Sequence, residues 1–281
     1  MRGRLRWRRP SGSELSTVVD RLATWPTGTV PGAVRHMFAL ATIDAHGNDP
    51  VRVLTRGRRL AVTVTIPSRL IVPCGDPSLL ADVSPPTRRW RLLVGDVGAG
   101  DALLAATGID DRMIVHDQRF MVVDPARVPP ARHLADPGLR RAQPADLDRL
   151  AELAVRLHID DEFGPDPGFV GWRGYRQRLE ASVRQGLVWC VGPPGAPVCK
   201  VERSVSSAQW GVQLAGIVVA PEQRHDGIGR AAVAAAVRGV WTEFGERPVT
   251  LHVRAANRRA IDAYRAAGFV DAEAWRLVVR S

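Results

Sequence analysis

The segment Gly216-Ile-Val-Val-Ala-Pro-Glu-Gln-Arg-His-Asp-Gly-Ile-Gly-Arg230 carries the clearest structural signal in this 281-residue chain. It begins as a β-branched strand, passes through a loop with two glycines, Gly227 and Gly229, and continues as a helix rich in Ala and Val. The first backbone N–H groups of a helix have no intrahelical partners, and the helix dipole is positive at that end. Because glycine also lets the backbone approach a ligand closely, this strand–loop–helix unit predicts a phosphate-binding site.

Two other kinds of phosphate-binding loop fit this stretch less well. A Walker A loop needs Gly-Lys followed by Ser or Thr, and neither a lysine nor a hydroxyl residue stands at that point. A dinucleotide-binding loop needs G-x-G-x-x-G, whereas only Gly227-x-Gly229 is present. From the loop alone, an ordinary strand-to-helix turn remains an open alternative.

The second half of the chain has clear periodic elements around this loop. We predict, in chain order, a short strand at 139–143, a helix from Pro144, a helix at 175–184, strands at 187–191, 198–205 and 210–219, a helix at 228–241, a strand at 249–253, a helix at 257–267 and a strand at 275–279. The order β-α-α-β-β-β-α-β-α-β predicts an α+β (mixed α/β) fold, with a central mixed sheet flanked by helices.

The first half of the chain is a separate unit in this interpretation. Residues 124–138 contain four prolines, which remove backbone donors and stiffen a connection, so they predict a linker. We therefore predict two domains, residues 1–137 and 138–281. The first contains both helical and strand patterns, but it has no glycine loop like the one in the second half.

Composition restricts the classes of partner. The net charge is +10, but the basic residues are spread along the chain and Lys200 is the only lysine, so we predict no nucleic-acid partner. The Arg-Trp clusters at 6–9 and 88–91 are interpreted as solvated surface. No run of about 18 apolar residues exists, so no membrane partner is expected. The three cysteines lack a C-x-x-C pattern, which predicts no disulfide framework, no metal site and a cytoplasmic location. Cys190 and Cys199 lie in apolar strand-like runs, which predicts that they are buried.

Two motifs carry a resemblance to a known family. Residues 216–230 resemble the acetyl-CoA loop of the GNAT N-acetyltransferase superfamily, Q/R-x-x-G-x-G/A, which reads Arg224-x-x-Gly227-x-Gly229 in this chain. Residues 251–269 resemble the second GNAT motif, with its Asn, Ala, Tyr and closing Gly-Phe, and residues 139–153 resemble the first strand and helix of the family. The whole chain, with its segment 113–123, also resembles bacterial tandem proteins in which a degenerate GNAT-like domain precedes an active one.

The resemblance implies acetyl-CoA as co-substrate and assigns residues to it. Backbone N–H groups of the loop would hold the pyrophosphate: Arg224, His225, Asp226, Gly227, Ile228, Gly229 and Arg230. The main chain of Ile217, Val218 and Val219 would pair with the pantetheine arm, which Asn257 would also contact. Tyr264 would act as general acid for the departing thiolate. Asn257 as a simple helix cap and Tyr264 as a simple packing residue remain open.

The general base is less well marked. The family often keeps a glutamate on the strand before the loop, but residues 214–220 contain none. The candidates are Glu222, Glu202 and the cluster Asp160-Asp161-Glu162, from which we predict Glu162, because an acidic cluster at the substrate-side loop could bind a cationic amine. A solvated helix end is the alternative interpretation of this cluster.

The resulting hypothesis is an acetyl-CoA-dependent N-acetyltransferase whose acceptor is an amine of a small molecule or a protein, with a homodimer possible. The alternative is a non-catalytic module that binds acyl-CoA. The departures from the family pattern are His225, where glycine is common, and Asp226, which places a negative charge in the loop.

Overall fold

A computed structural model of the protein describes residues 5–26, 28–66, 69–108, 112–133 and 136–280. The elements of the first half are α1 (Gly12–Ala23), α2 (Gly32–Arg35), α3 (Met37–His46), β1 (Val51–Arg56), β2 (Arg59–Ile66), β3 (Leu70–Gly75), α4 (Pro77–Ala81), β4 (Leu92–Asp96), α5 (Val97–Thr107) and β5 (Met113–Val123). Those of the second half are β6 (Arg140–Arg141), α6 (Leu147–Asp160), α7 (Gly168–Arg184), β7 (Val188–Val191), β8 (Cys199–Ser207), β9 (Gly211–Val219), α8 (Ile228–Phe244), β10 (Val249–Arg254), α9 (Arg258–Ala266) and β11 (Phe269–Arg280).

The predicted order of elements in the second half is confirmed, and so is the mixed α/β class. Three boundaries differ clearly from the prediction. Helix α7 begins at Gly168 rather than Tyr175, α8 continues to Phe244 rather than Trp241, and β11 begins at Phe269 rather than Trp275. The glycines and prolines of 164–168 weaken helical periodicity there, and Trp241 and Phe244 both pack against the core of the second half.

The described strands form a single 11-stranded sheet in the order β1-β2-β3-β4-β11-β5-β10-β9-β8-β7-β6. In each half, two antiparallel pairs are followed by one parallel pair: β1/β2, β2/β3 and β3/β4, and then β7/β8, β8/β9 and β9/β10. The second half therefore repeats the strand connectivity of the first.

The two halves exchange their last strands. Strand β5 of the first half pairs with β10 of the second half, and β11 of the second half pairs with β4 of the first. Strands β5 and β11 also pair with each other along nearly their whole length, from Phe269↔Val123 to Arg280↔Met113. The predicted division after residue 137 stays a prediction, but each half depends on a strand from the other for a complete sheet.

Helices cover both faces of this sheet. On the first face, α8 and α9 bury one core against β7 to β10, and α4 and α5 bury another against β3, β4 and β11. On the second face, α1 and α3 pack on β1 and β2, and α6 and α7 pack on β7. Cys190 and Cys199 are buried in these layers, as predicted, and Cys74 is buried as well; all three are free. None of the described helices is long and apolar enough to cross a membrane.

Candidate active site

The site begins as an opening between two parallel strands. Strands β9 and β10 pair only at Val249↔Val212, Thr250↔Gln213 and Leu251↔Leu214. Beyond these pairs β9 continues to Val219 and β10 to Arg254 without a ladder between them, which leaves a wedge in the sheet. The edge of β9 that faces the wedge includes the predicted residues 217–219. An extended chain of amides can add to such an edge through main-chain hydrogen bonds.

The glycine loop closes the far end of the wedge. After a 3₁₀ turn at Pro221–Gln223 the chain reaches Gly227, which precedes α8 and has φ 76° and ψ 0°. This left-handed conformation favours glycine, and no side chain caps the helix from that position. The N–H groups of the first turn of α8 therefore have no side-chain cap, as a phosphate-binding helix start requires.

Two further residues of the loop have unusual surroundings. His225 has φ 81°, so a histidine occupies the left-handed backbone conformation that glycine adopts more readily. Gly229 is inside the helix, where a Cβ would lie 3.2 Å from Cγ2 of Val219. The first glycine of the motif thus serves backbone conformation, and the second serves the close approach of α8 to β9.

Arginines lie near the starts of α8 and α9, but Arg224 contributes less positive charge there than the sequence suggested. Its Nε donates to the carbonyl of Val219 at 3.0 Å and its Nη2 to Asp160 at 2.6 Å, so its charge is largely paired. Arg230 on α8 and Arg258 and Arg259 on α9 are exposed and form no ion pair among the described residues. Arg258 and Arg259 were not among the residues predicted from the sequence, although their position directly after Asn257 was a usable signal.

Asn257 and Tyr264 belong to the helix that follows β10. The Asn257 side chain accepts a hydrogen bond from the Ala260 N–H at 3.2 Å, so it caps α9, as one of the two interpretations expected. The Tyr264 ring is 8% exposed and packs 6.2 Å from the ring of Phe269. Burial raises the pKa of the Tyr264 hydroxyl, which therefore keeps its proton at neutral pH.

The acidic cluster at the end of α6 reaches the wedge from the second face, and its three carboxylates differ in surroundings. Asp160 pairs with Arg224, and the Glu162 side chain is 68% exposed and pairs with Arg254 at 2.9 Å. Asp161 is partly buried and faces Arg254, Asn257 and His116, and it is close enough to influence Tyr264. Its pKa is raised, mainly by desolvation. The structure thus brings Asp161, more than the predicted Glu162, next to the other site residues.

Two other candidate bases are held in ion pairs. Glu222 is exposed and pairs with Arg149 at 2.6 Å. Glu202 is buried beside Lys200 and accepts from Arg178 at 2.8 Å. Burial alone would raise the pKa of Glu202, but the two cations outweigh this effect and lower it. Both carboxylates already have cationic partners, and Glu202 is in addition a weak base.

The glycine loop, α8 and α9 lie within a segment that matches a known protein family. The model of the Acetyltransferase (GNAT) family matches residues 164–269, which run from just before α7 to the first residue of β11. This segment is a GNAT domain. No curated protein sequence matches the chain.

Solved structures share the fold over nearly the whole chain. An acetyltransferase of the GNAT family from Colwellia psychrerythraea is 12% identical, with a TM-score of 0.56 over 98% of this chain and 99% of that one. A GCN5-related N-acetyltransferase from Sphaerobacter thermophilus is 16% identical, with a TM-score of 0.59 over 99% and 96%. A tandem GNAT protein from the clavulanic acid biosynthesis pathway is 15% identical, with a TM-score of 0.52 over 98% of each chain. At these identities the likeness concerns the fold.

Proposed function

We propose that this protein is an acetyl-CoA-dependent N-acetyltransferase, and that the GNAT domain holds the cofactor in the wedge between β9 and β10. The observation that carries this proposal is the coincidence of an open strand edge with an uncapped helix start at its end. The N–H groups of residues 228–230 would bind the pyrophosphate, and the main chain of 217–219 would pair with the pantetheine arm. Arg230, Arg258 and Arg259 would neutralise the phosphate charges.

Direct acetyl transfer needs a proton acceptor and a proton donor, and we assign these roles to Asp161 and Tyr264. The attacking amine forms its N–C bond as the C–S bond of the thioester breaks. Asp161 would accept the proton that the amine gives up, since its raised pKa makes it a stronger base than an ordinary aspartate. Tyr264 would donate its proton to the departing sulfur. Glu162, the residue predicted from sequence, would then contribute negative charge at the mouth and attract a cationic acceptor.

Paired substitutions distinguish the two carboxylates. We expect Asp161→Asn to lower kcat by about a hundredfold, the low end of general-base effects, and to remove the acidic limb of the pH–rate profile. Glu162→Gln should raise KM for a cationic amine and leave that limb in place. Acetyl-CoA binding, measured by calorimetry, should survive in both variants. A loss of the acidic limb in Glu162→Gln alone would return the role of base to Glu162.

A second candidate function is a module that binds acyl-CoA without catalysis. The specific observation in its favour is that β9 carries no carboxylate and that Glu202 on β8 is held by two cations. This candidate predicts acetyl-CoA binding with no CoA release for any amine tested. Release of CoA that depends on an added amine would exclude it.

We also propose that the first half is a degenerate GNAT domain. Its parallel strands β3 and β4 pair only at Leu70↔Leu92 and Ile71↔Leu93. This ladder is short, like the three-residue ladder between β9 and β10. The helix that follows β3 has only five residues, and the Asp76 side chain caps it by accepting from the Ser78 N–H at 2.9 Å. A carboxylate at that helix start opposes binding of a phosphate. The first half would then shape the acceptor side of the site. The cytoplasmic location of the protein stays a prediction.

A further inference from the structure

A cluster of arginines surrounds two adjoining surface cavities at the end of the sheet where β3, β4 and β5 begin and β11 ends. The cavities have volumes of about 290 Å³ and 310 Å³ and share Arg88, Trp90 and Arg280. We call this feature the arginine cavity, and its basic lining comes from the starts of β3, β4 and β5 and the end of β11: Arg69, Arg88, Arg89, Arg91, Arg112 and Arg280. None of the described residues that line either cavity is acidic.

Four of these arginines have no carboxylate partner in the described part of the chain: Arg69, Arg88, Arg89 and Arg91. This is unusual for the molecule, in which most described arginines outside this region form an ion pair or donate to a backbone carbonyl, for example Arg35 to Glu273 and Arg276 to Asp101. Within the part of the chain that the structure describes, these four like charges lie near one another without a carboxylate between them, and a bound anion would relieve their mutual repulsion.

The backbone fixes the positions of these arginines. The N–H of Arg91 donates to the carbonyl of Arg69 at 2.9 Å, and the N–H of Arg280 donates to the carbonyl of Arg91 at 2.8 Å. The Arg280 guanidinium lies 5.4 Å from the ring of Trp90, and its Nη1 donates to the carbonyl of Arg88 at 3.3 Å. Trp90 is 2% exposed, so the cluster stands on a packed base.

From this arrangement we infer that the arginine cavity binds a small molecule that carries a diphosphate group. Guanidinium groups pair with phosphate oxygens in a bidentate fashion, and several cations around one cavity match a group with several negative charges. Trp90 is too deeply buried to stack on a nucleic-acid base, so the lining offers charge recognition and little base recognition. The site is distinct from the wedge of the GNAT domain and does not rest on the proposed function.

The inference is tested by calorimetric titration with inorganic pyrophosphate, ADP and CoA, which share the diphosphate group and differ in what it is attached to. All proteins carry Gly227→Asp, which places a negative charge at the start of α8 and weakens anion binding there. The test variant is Arg88→Ala/Arg91→Ala, whose backbone hydrogen bonds do not depend on the side chains. The matched control is Arg184→Ala/Arg247→Ala, which removes two exposed arginines elsewhere that form no ion pair among the described residues.

We expect the control to bind pyrophosphate as the parent does, and Arg88→Ala/Arg91→Ala to bind it at least about tenfold more weakly, because each charge-assisted hydrogen bond contributes strongly. Tighter binding of ADP or CoA than of pyrophosphate would identify an ester as the source of the diphosphate. Absent binding of all three ligands, or equal weakening in both double variants, would overturn the inference. A short DNA duplex is titrated in parallel, and binding of the duplex alone, with lower affinity in the test variant, would also overturn the inference.

Discussion

Replacing Tyr264 with phenylalanine removes one oxygen atom and little else from the site. The ring is 8% exposed and packs on Phe269, and phenylalanine preserves that packing. Deleting the ring with alanine would cost about 3–5 kcal/mol of stability and confuse the result, whereas Tyr264→Phe should change the free energy of unfolding by no more than about 1 kcal/mol. If the hydroxyl protonates the departing sulfur, kcat should fall by about a hundredfold or more, the usual range for a lost general acid.

The assay is amine-dependent release of CoA, followed with a thiol reagent, together with calorimetry of acetyl-CoA binding and thermal melting of each protein. Tyr175→Phe is the matched control, because Tyr175 is the other of the two tyrosines and its hydroxyl interacts with His158 Nδ1 at 2.9 Å. We expect this control to lose about 1 kcal/mol of stability and to keep kcat within severalfold. An unchanged kcat in Tyr264→Phe, with unchanged acetyl-CoA affinity, would refute the role of Tyr264 as acid.

Three further predictions concern stability. Gly216→Ala should lower the free energy of unfolding by about 2 kcal/mol in thermal melts, because Gly216 has φ 56° and a Cβ there would lie 2.6 Å from Glu202 Oε1. Asp146 is buried against Arg140, which holds its pKa at about 2, so its contribution is present above about pH 4, the range of an ordinary aspartate, and is lost as the pH falls through about 2. The melting temperatures of wild type and Asp146→Asn should therefore differ most at neutral pH and converge in acid; a constant difference would contradict this. Residues 138–281 alone should show no cooperative melt, since β5 lies between β10 and β11; a cooperative melt would show that the second half does not need β5.

The sequence predicts the local elements of the second half well, because its helices and strands are amphipathic and separated by glycine and proline. It does not predict the exchange of β5 and β11. The pattern of a strand such as Met113–Val123 shows which residues it buries, but not which strand it lies beside, and its partner β10 begins more than a hundred residues later. The proline-rich segment at 124–138 therefore indicated a boundary that the sheet crosses.

The candidate site follows the same division between local and long-range information. Gly227 and Tyr264 could be selected from motifs, since their proposed roles depend on a short segment of backbone. The choice between Asp161 and Glu162 could not be made from the sequence. Adjacent residues at the end of a helix point in different directions, and tertiary packing decides which of the two is buried. Glu202, another candidate from the sequence, lies two residues from Lys200 on β8. Both are buried next to Gly216, where they form a structural ion pair.

We claim that the start of α8 binds the pyrophosphate of acetyl-CoA, and calorimetric titration of three proteins is the decisive test. Wild type is compared with Gly227→Asn and Gly227→Asp, which both tolerate the left-handed backbone and whose Cβ would be 3.7 Å from the nearest atom, on Arg230. We predict that wild type and Gly227→Asn bind acetyl-CoA and that Gly227→Asp binds it at least about tenfold more weakly than Gly227→Asn, because a negative charge then faces the phosphates. Equal affinity of the Asn and Asp variants, or no binding by wild type, would contradict the claim.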